Sequence, residues 1–172
     1  MASRVARYHA DRTNQKLYFS RIYCQLAEET PVGQLQDGHI ESAVTHLYGG
    51  YLAFLQELAR YYNLNLSAPT LSGIAQALET KTQVSPEVLR LEKLLKHDFL
   101  GEVEQAWQQI LYKPAPAEVV DSDAAEPDSQ RLPIIDVMAS PANHAISVDM
   151  VRQWRSELLD LIDTLREGMI EF

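Results

Sequence analysis

An all-α fold is what this sequence predicts: a four-helix bundle of long helices with one additional short helix. Three observations carry that reading. Between Ile40 and Tyr62 the large apolar residues Ile40, Val44, Leu47, Tyr51, Leu55, Leu58 and Tyr62 recur in steps of three and four, which puts them on one side of a helix. Ala43, Tyr48, Leu52, Phe54 and Ala59 widen that stripe, and a helix apolar most of the way round is buried by several neighbours. Ser85-Pro86-Glu87 is a helix start: a capping hydroxyl, a proline where no N–H is needed, and a carboxylate in the first turn. Near the end of the chain, Val151, Trp154, Leu158, Leu161 and Leu165 form a third helical stripe.

Taken in order, the first helix is expected over 4–29, with Ser3 as cap and Thr30-Pro31 followed by Gly33 as stop. Its inward face is mostly small (Ala6, Ala10, Thr13, Leu17, Ser20, Cys24, Ala27), which lets a neighbouring helix come close. Its polar run from Asp11 to Lys16 competes with the helix backbone for hydrogen bonds, so it reads as a solvated face or as a polar floor for a ligand. The second helix is expected over 38–63, with Asp37 as N-cap, antiparallel to the first across a short loop. That pairing sets Leu17 and Tyr18 level with Gly49-Gly50, two glycines that each cost about 1 kcal/mol inside a helix. A ring such as Tyr18 filling the notch offsets that loss. A short helix follows over 70–81 and a long one over 86–112, ending ahead of Pro114.

From Pro114 to Arg131 prolines alternate with Glu118, Asp121, Asp123, Glu126 and Asp128, the composition of a mobile acidic loop. Leu132 to Met138 is apolar enough to lie extended over the helices. The last helix is expected over 148–170 with Ser147 as cap. At 172 residues the chain suits one helical domain spanning 1–172, with 114–131 as a linker inside it.

Composition narrows the function classes. Cys24 is the only cysteine, so no intrachain disulfide forms, and a reducing, cytoplasmic setting follows. The longest uncharged run of the second helix, Ser42 to Gln56, is 15 residues, short of the roughly 18 that a membrane span needs. Net charge is −9, yet residues 1–24 carry Arg4, Arg7, Arg12, Lys16 and Arg21 against Asp11 alone. An acidic protein with one basic helix is no general nucleic-acid binder, and the asymmetry reads first as pairing of that helix with acidic neighbours in the fold.

Searches for chemistry return little. None of the five histidines follows a glutamate by three residues, and no His-x-x-x-His occurs, so the helical di-iron and zinc signatures are missing. The Arg-x4–6-His spacing of HEPN-like ribonucleases occurs twice, Arg4 to His9 and Arg90 to His97, where chance alone supplies about one match. Glycine-rich nucleotide loops are absent from the sequence, and no cofactor is expected.

The strings Arg12-Thr13-Asn14-Gln15-Lys16-Leu17-Tyr18-Phe19, His46-Leu47-Tyr48-Gly49 and Trp154-Arg155 resemble a family of short bacterial all-helical proteins described only as a domain of unknown function. The resemblance implies a cytoplasmic bacterial helical protein and transfers no activity. Three expectations stand beside it. The first is a non-enzymatic interaction or scaffold protein, a homodimer through apolar surface that the bundle leaves uncovered, or a complex with another protein. The second is a small-ligand-binding or enzymatic bundle with a pocket near Arg12, Asn14, Tyr18, His46, Gly49 and Gly50. The third has the basic first helix docking an anionic partner.

Overall fold

The computed structural model of the chain describes residues 4–112 and 146–170, which form six helices: α1 (Arg4–Glu29), α2 (Gln34–Tyr61), α3 (Leu71–Thr80), α4 (Pro86–His97), α5 (Phe99–Leu111) and α6 (Val148–Ile170). The cap expected at Ser3, the acidic stretch 114–131 and the apolar stretch 132–138 lie outside the described residues.

Helices α1 and α2 form an antiparallel hairpin. The pairing runs from Gln36 against Ala27, through Tyr23 against His46 and Leu17 against Gly50, to Thr13 against Glu57. From Thr13 onward the small inward face of α1 is buried as expected: Thr13, Leu17, Ser20, Cys24 and Ala27. Helix α2 starts four residues earlier than its sequence suggests. Gly33 takes the N-cap position at φ 152°, where only glycine is unstrained, and Asp37 falls in the first turn instead of capping it. The short loop is closed by side chains that occupy the last carbonyls of α1: Thr30 Oγ1 donates to Leu26 O at 2.6 Å and Gln36 Nε2 to Ala27 O at 3.0 Å.

Ten residues of α2 between Ala43 and Ala59 are buried, while Glu41, Thr45, Leu52 and Arg60 leave one wetter stripe. α1 covers one flank of that rod. α6 runs antiparallel to α1 and touches α2 as well, and α5 covers the other flank through Tyr48, whose ring stacks on Trp107 at 4.3 Å. α3 and α4 pack on each other, with Ile74, Leu78, Val88 and Leu91 in the shared core.

The expected third long helix is two helices. Asp98 adopts extended backbone (φ −148°, ψ −176°), its N–H closes α4 on Leu94 O, and its Oδ1 accepts from Phe99 N at 2.8 Å to start α5. Aspartate favours such a cap because its carboxylate satisfies N–H groups that a helix start leaves orphaned. The bend folds α5 tightly onto the end of α4, so that a Cβ on Gly101 would lie 2.4 Å from Leu95 O. The hydrophobic period crosses Asp98 without a break, which hides the bend from a pattern argument.

Ser85 and Ser147 cap their helices as expected, and Thr70 caps α3, which starts one residue later than the sequence suggests. Ser85 Oγ accepts from Val88 N at 3.1 Å, Thr70 Oγ1 from Gly73 N at 3.1 Å, and Ser147 Oγ from Met150 N at 3.2 Å.

Candidate functional site

The residues grouped by sequence lie along the α1–α2 hairpin and are not all neighbours. Positions two apart on a helix are turned by roughly 160°, so Arg12 and Asn14 flank opposite sides of the buried seam. Tyr18 points away from it, 49% exposed. Asn14 reaches α6, where its Oδ1 accepts from Arg166 Nη1 at 3.1 Å. Arg12 is exposed.

His46, Gly49 and Gly50 face α1, and their surroundings are filled. Leu17, not Tyr18, occupies the notch: its Cδ2 and Cγ lie 2.9 and 3.1 Å from where a Gly50 Cβ would be. Leucine fits because position 17 points straight into the seam, one step round the helix from the outward-facing tyrosine. The methylenes of Lys16 lie over Gly49 at 3.5 Å, a covering alkyl stem with its ammonium outward. His46 stacks on Tyr23 at 5.4 Å and touches Phe19 at 5.3 Å. Burial, then the nearby Lys16, holds its imidazole below the ordinary histidine value, which favours the neutral ring. Its Nδ1 is buried with no hydrogen-bond partner among the described residues.

Two turns beyond Gly50, Glu57 collects a polar network that joins three helices. It accepts Arg166 Nε at 3.1 Å and Nη2 at 2.9 Å, a two-pronged pair across α2 and α6, and it accepts the Thr13 hydroxyl from α1. The expected pairing of the basic α1 with acidic neighbours is not found for Arg12, Lys16 and Arg21, which make no ion pair among the described residues; the side chains of Arg4 and Arg7 lie outside these. The ion pairs run the other way. α6 supplies the arginines and α1 and α2 supply Glu28 and Glu57.

A second buried network lies where α2 meets α4. Glu87, 7% exposed, accepts Tyr62 Oη at 2.5 Å and Ser85 Oγ at 2.7 Å. Burial alone would raise its carboxyl, but the two hydroxyl donors outweigh it and hold the group below the usual carboxylate range. Burial and the same hydrogen bond push Tyr62 up to about 12. Both hydroxyls converge on one carboxylate oxygen, Oε2, and tie the start of α4 to the end of α2. An open recess of about 330 Å³ between α3 and α4 is lined by Leu78, Val84, Val88 and Leu89, with Glu79 and Glu92 beside them.

The sequence reading missed Arg155. It is half-buried on α6, its Nε donates to Leu17 O at 3.0 Å, and it stands near Arg21 of α1. Only the string Trp154-Arg155 hinted at it. Its position depends on how α6 registers against α1, which no local pattern encodes. Among the described residues no three His, Cys, Asp or Glu side chains gather in a metal-binding group, and no helix is long and apolar enough to cross a membrane.

The chain matches no curated protein and no solved structure. Over residues 8–172, nearly its whole length, it matches the model of a family of unknown function, DUF6586, and it therefore belongs to that family.

Proposed function

We propose that the chain is a non-enzymatic helical interaction protein that pairs with a second copy of itself through the outer face of α1. One observation carries this reading. Tyr18, Ile22 and Leu26 recur at four-residue steps on the side of α1 opposite its buried seam, with Tyr18 and Leu26 at 49% and 37% exposure. The turn beyond exposes Val32 and Leu35 at 94% and 66%. An antiparallel crossing of two copies at Ile22 sets Tyr18 of one against Leu26 of the other and then repeats the contact, the self-complementarity that a two-fold interface requires. In this reading the chain is one domain, with α1, α2, α5 and α6 as the four members of its bundle, working in the cytoplasm of a bacterial cell. Its single thiol, Cys24, is buried in the seam.

Light scattering at micromolar concentration tests it. A mass twice the 19.5 kDa of one chain is expected, falling to that of one chain in Leu26→Asp with helical circular dichroism unchanged. A wild-type chain that stays at the mass of one copy up to several hundred micromolar refutes the proposal.

One observation favours the second reading, a small-ligand-binding or enzymatic bundle with its site near Arg12, Asn14, Tyr18, His46, Gly49 and Gly50: the unpaired Nδ1 of His46 between two aromatic rings. The filling of the glycine notch by Leu17 and Lys16 weighs against it. A shift of the His46 ring resonances on addition of a ligand, lost in His46→Phe, is its signature.

A further inference from the structure

The two guanidinium groups at the α1–α6 seam carry an inference that self-association does not. In a chain of net charge −9, a half-buried arginine is expected to sit against a carboxylate, because removing a cation from water is costly without a counter-charge. The half-buried Arg166 of α6 obeys this by pairing with Glu57, and even the exposed Arg152 pairs with Glu28. Arg155 does not. Among the described residues its only hydrogen bond is Nε to Leu17 O, and no ion pair includes it. Helix geometry gives that same Leu17 carbonyl to the backbone N–H of Arg21, so the Arg155 head group docks on α1 beside residue 21, whose charge it feels. The guanidinium of Arg21 lies over the Tyr18 ring, 5.2 Å from its centre, which orients it without neutralising it. The partly buried position of Arg155 and the proximity of Arg21 both disfavour its charge, with no carboxylate offsetting them.

We propose that Arg155 and Arg21 form a binding site for a phosphate monoester. The charge arithmetic selects this class. Two unpaired guanidiniums supply two positive charges, which a phosphate dianion balances and a monocarboxylate only half balances. Each planar fork also offers paired N–H donors that match two oxygens of a phosphate. Nε of Arg155 is already held by the Leu17 carbonyl, so its two terminal nitrogens are left to face the anion. Arg21 is exposed and Arg155 half-buried, which leaves room for a phosphate carried on a small molecule or on a lipid head group.

The test is a titration of the full chain with inorganic phosphate, followed by arginine side-chain NMR at constant ionic strength held with chloride. A saturable shift of the Arg155 and Arg21 guanidinium signals is expected. Arg155→Lys keeps the charge but loses the fork, and it should weaken binding by roughly tenfold or more. Arg21→Gln should do the same, whereas Lys93→Gln on the distant α4 should leave it unchanged. Acetate at the same concentration should bind at least several-fold more weakly. Co-sedimentation with phosphatidic acid vesicles separates the sources: binding that Arg155→Lys abolishes assigns the group to a lipid, and its absence beside phosphate binding assigns it to a soluble molecule. No saturable shift beyond the chloride control, or an equal shift in folded Arg155→Lys, overturns the proposal.

Discussion

Replacing Gly101 by alanine sets two opposed effects against each other in one side chain. Gly101 is the third residue of α5, and a helix interior gains about 1 kcal/mol when glycine becomes alanine. The bend at Asp98 places the carbonyl oxygen of Leu95 only 2.4 Å from the new methyl carbon. A carbon meets such an oxygen no closer than about 3.3 Å, so the start of α5 must retreat by roughly 0.9 Å. The obstacle is backbone, which no rotamer change relieves, and Leu100 and Val103 on either side are wholly buried. Forcing such a shift on a packed core costs about 1–3 kcal/mol, and because the clash is with main chain the upper half of that range applies. The net loss is about 1–2 kcal/mol, a fall in Tm of roughly 2–8 °C for a chain of this size. Gly49→Ala is the matched comparison. Its methyl would meet only Lys16 methylenes at 3.5 Å, ordinary contact, so the propensity gain stands and Tm should rise by roughly 2–4 °C. Thermal melts by circular dichroism read both. If the two variants shift in the same direction, the bend at Asp98 is not held as described.

Two more outcomes follow from the polar networks. Glu57→Ala strips Arg166 of its two-pronged partner and Thr13 of its acceptor, and urea unfolding should show a loss of about 3 kcal/mol, with the m-value unchanged. Tyr62→Phe removes one of the two hydroxyl donors to Glu87 and should cost about 1–2 kcal/mol at neutral pH. Glu87 holds its proton less readily folded than unfolded, so its contribution is present above the ordinary carboxylate range and is lost as pH falls through and below it. The gap between wild type and Tyr62→Phe should therefore narrow in acid, and a gap that widens there would contradict the assignment. At the alkaline end the sign is set by Tyr62 itself. Raised to about 12, it favours the fold below the usual phenol value, and that contribution disappears as pH climbs through 12. Spectrophotometric titration of the variant should count one late phenol fewer, with the buried Tyr48 and Tyr51 still titrating late.

Much of this architecture was legible because its causes are local. The stripe from Ile40 to Tyr62 reports burial directly, since period and face are properties of consecutive residues, and α2 is buried where that stripe lies. The caps at Ser85 and Ser147 act within three residues of themselves and so behave alike in any fold. Asp98 carried the same kind of signal, but the apolar pattern of Leu95, Phe99 and Val103 runs through it. Deciding between a continuous and a bent helix takes the energy of packing α5 on α2 and α6, which lies outside the segment. Gly33 similarly displaced Asp37 as cap because the tightness of the α1–α2 turn, held by Thr30 and Gln36, settles where the helix can begin.

What the chain's order of residues determined alone is which segments are helical, their buried faces and most of their ends, all consequences of interactions no more than about four positions apart. What only the tertiary structure decided is which residue fills the glycine notch and where Arg155 comes to rest. Leu17 and Tyr18 are adjacent, and both were level with Gly49-Gly50; the rotation of α1 against α2 chose the leucine. Arg155 and Leu17 stand 138 positions apart and meet only because α6 docks in one register. Such a register minimises the free energy of the whole packed core, and no window along the chain contains that sum.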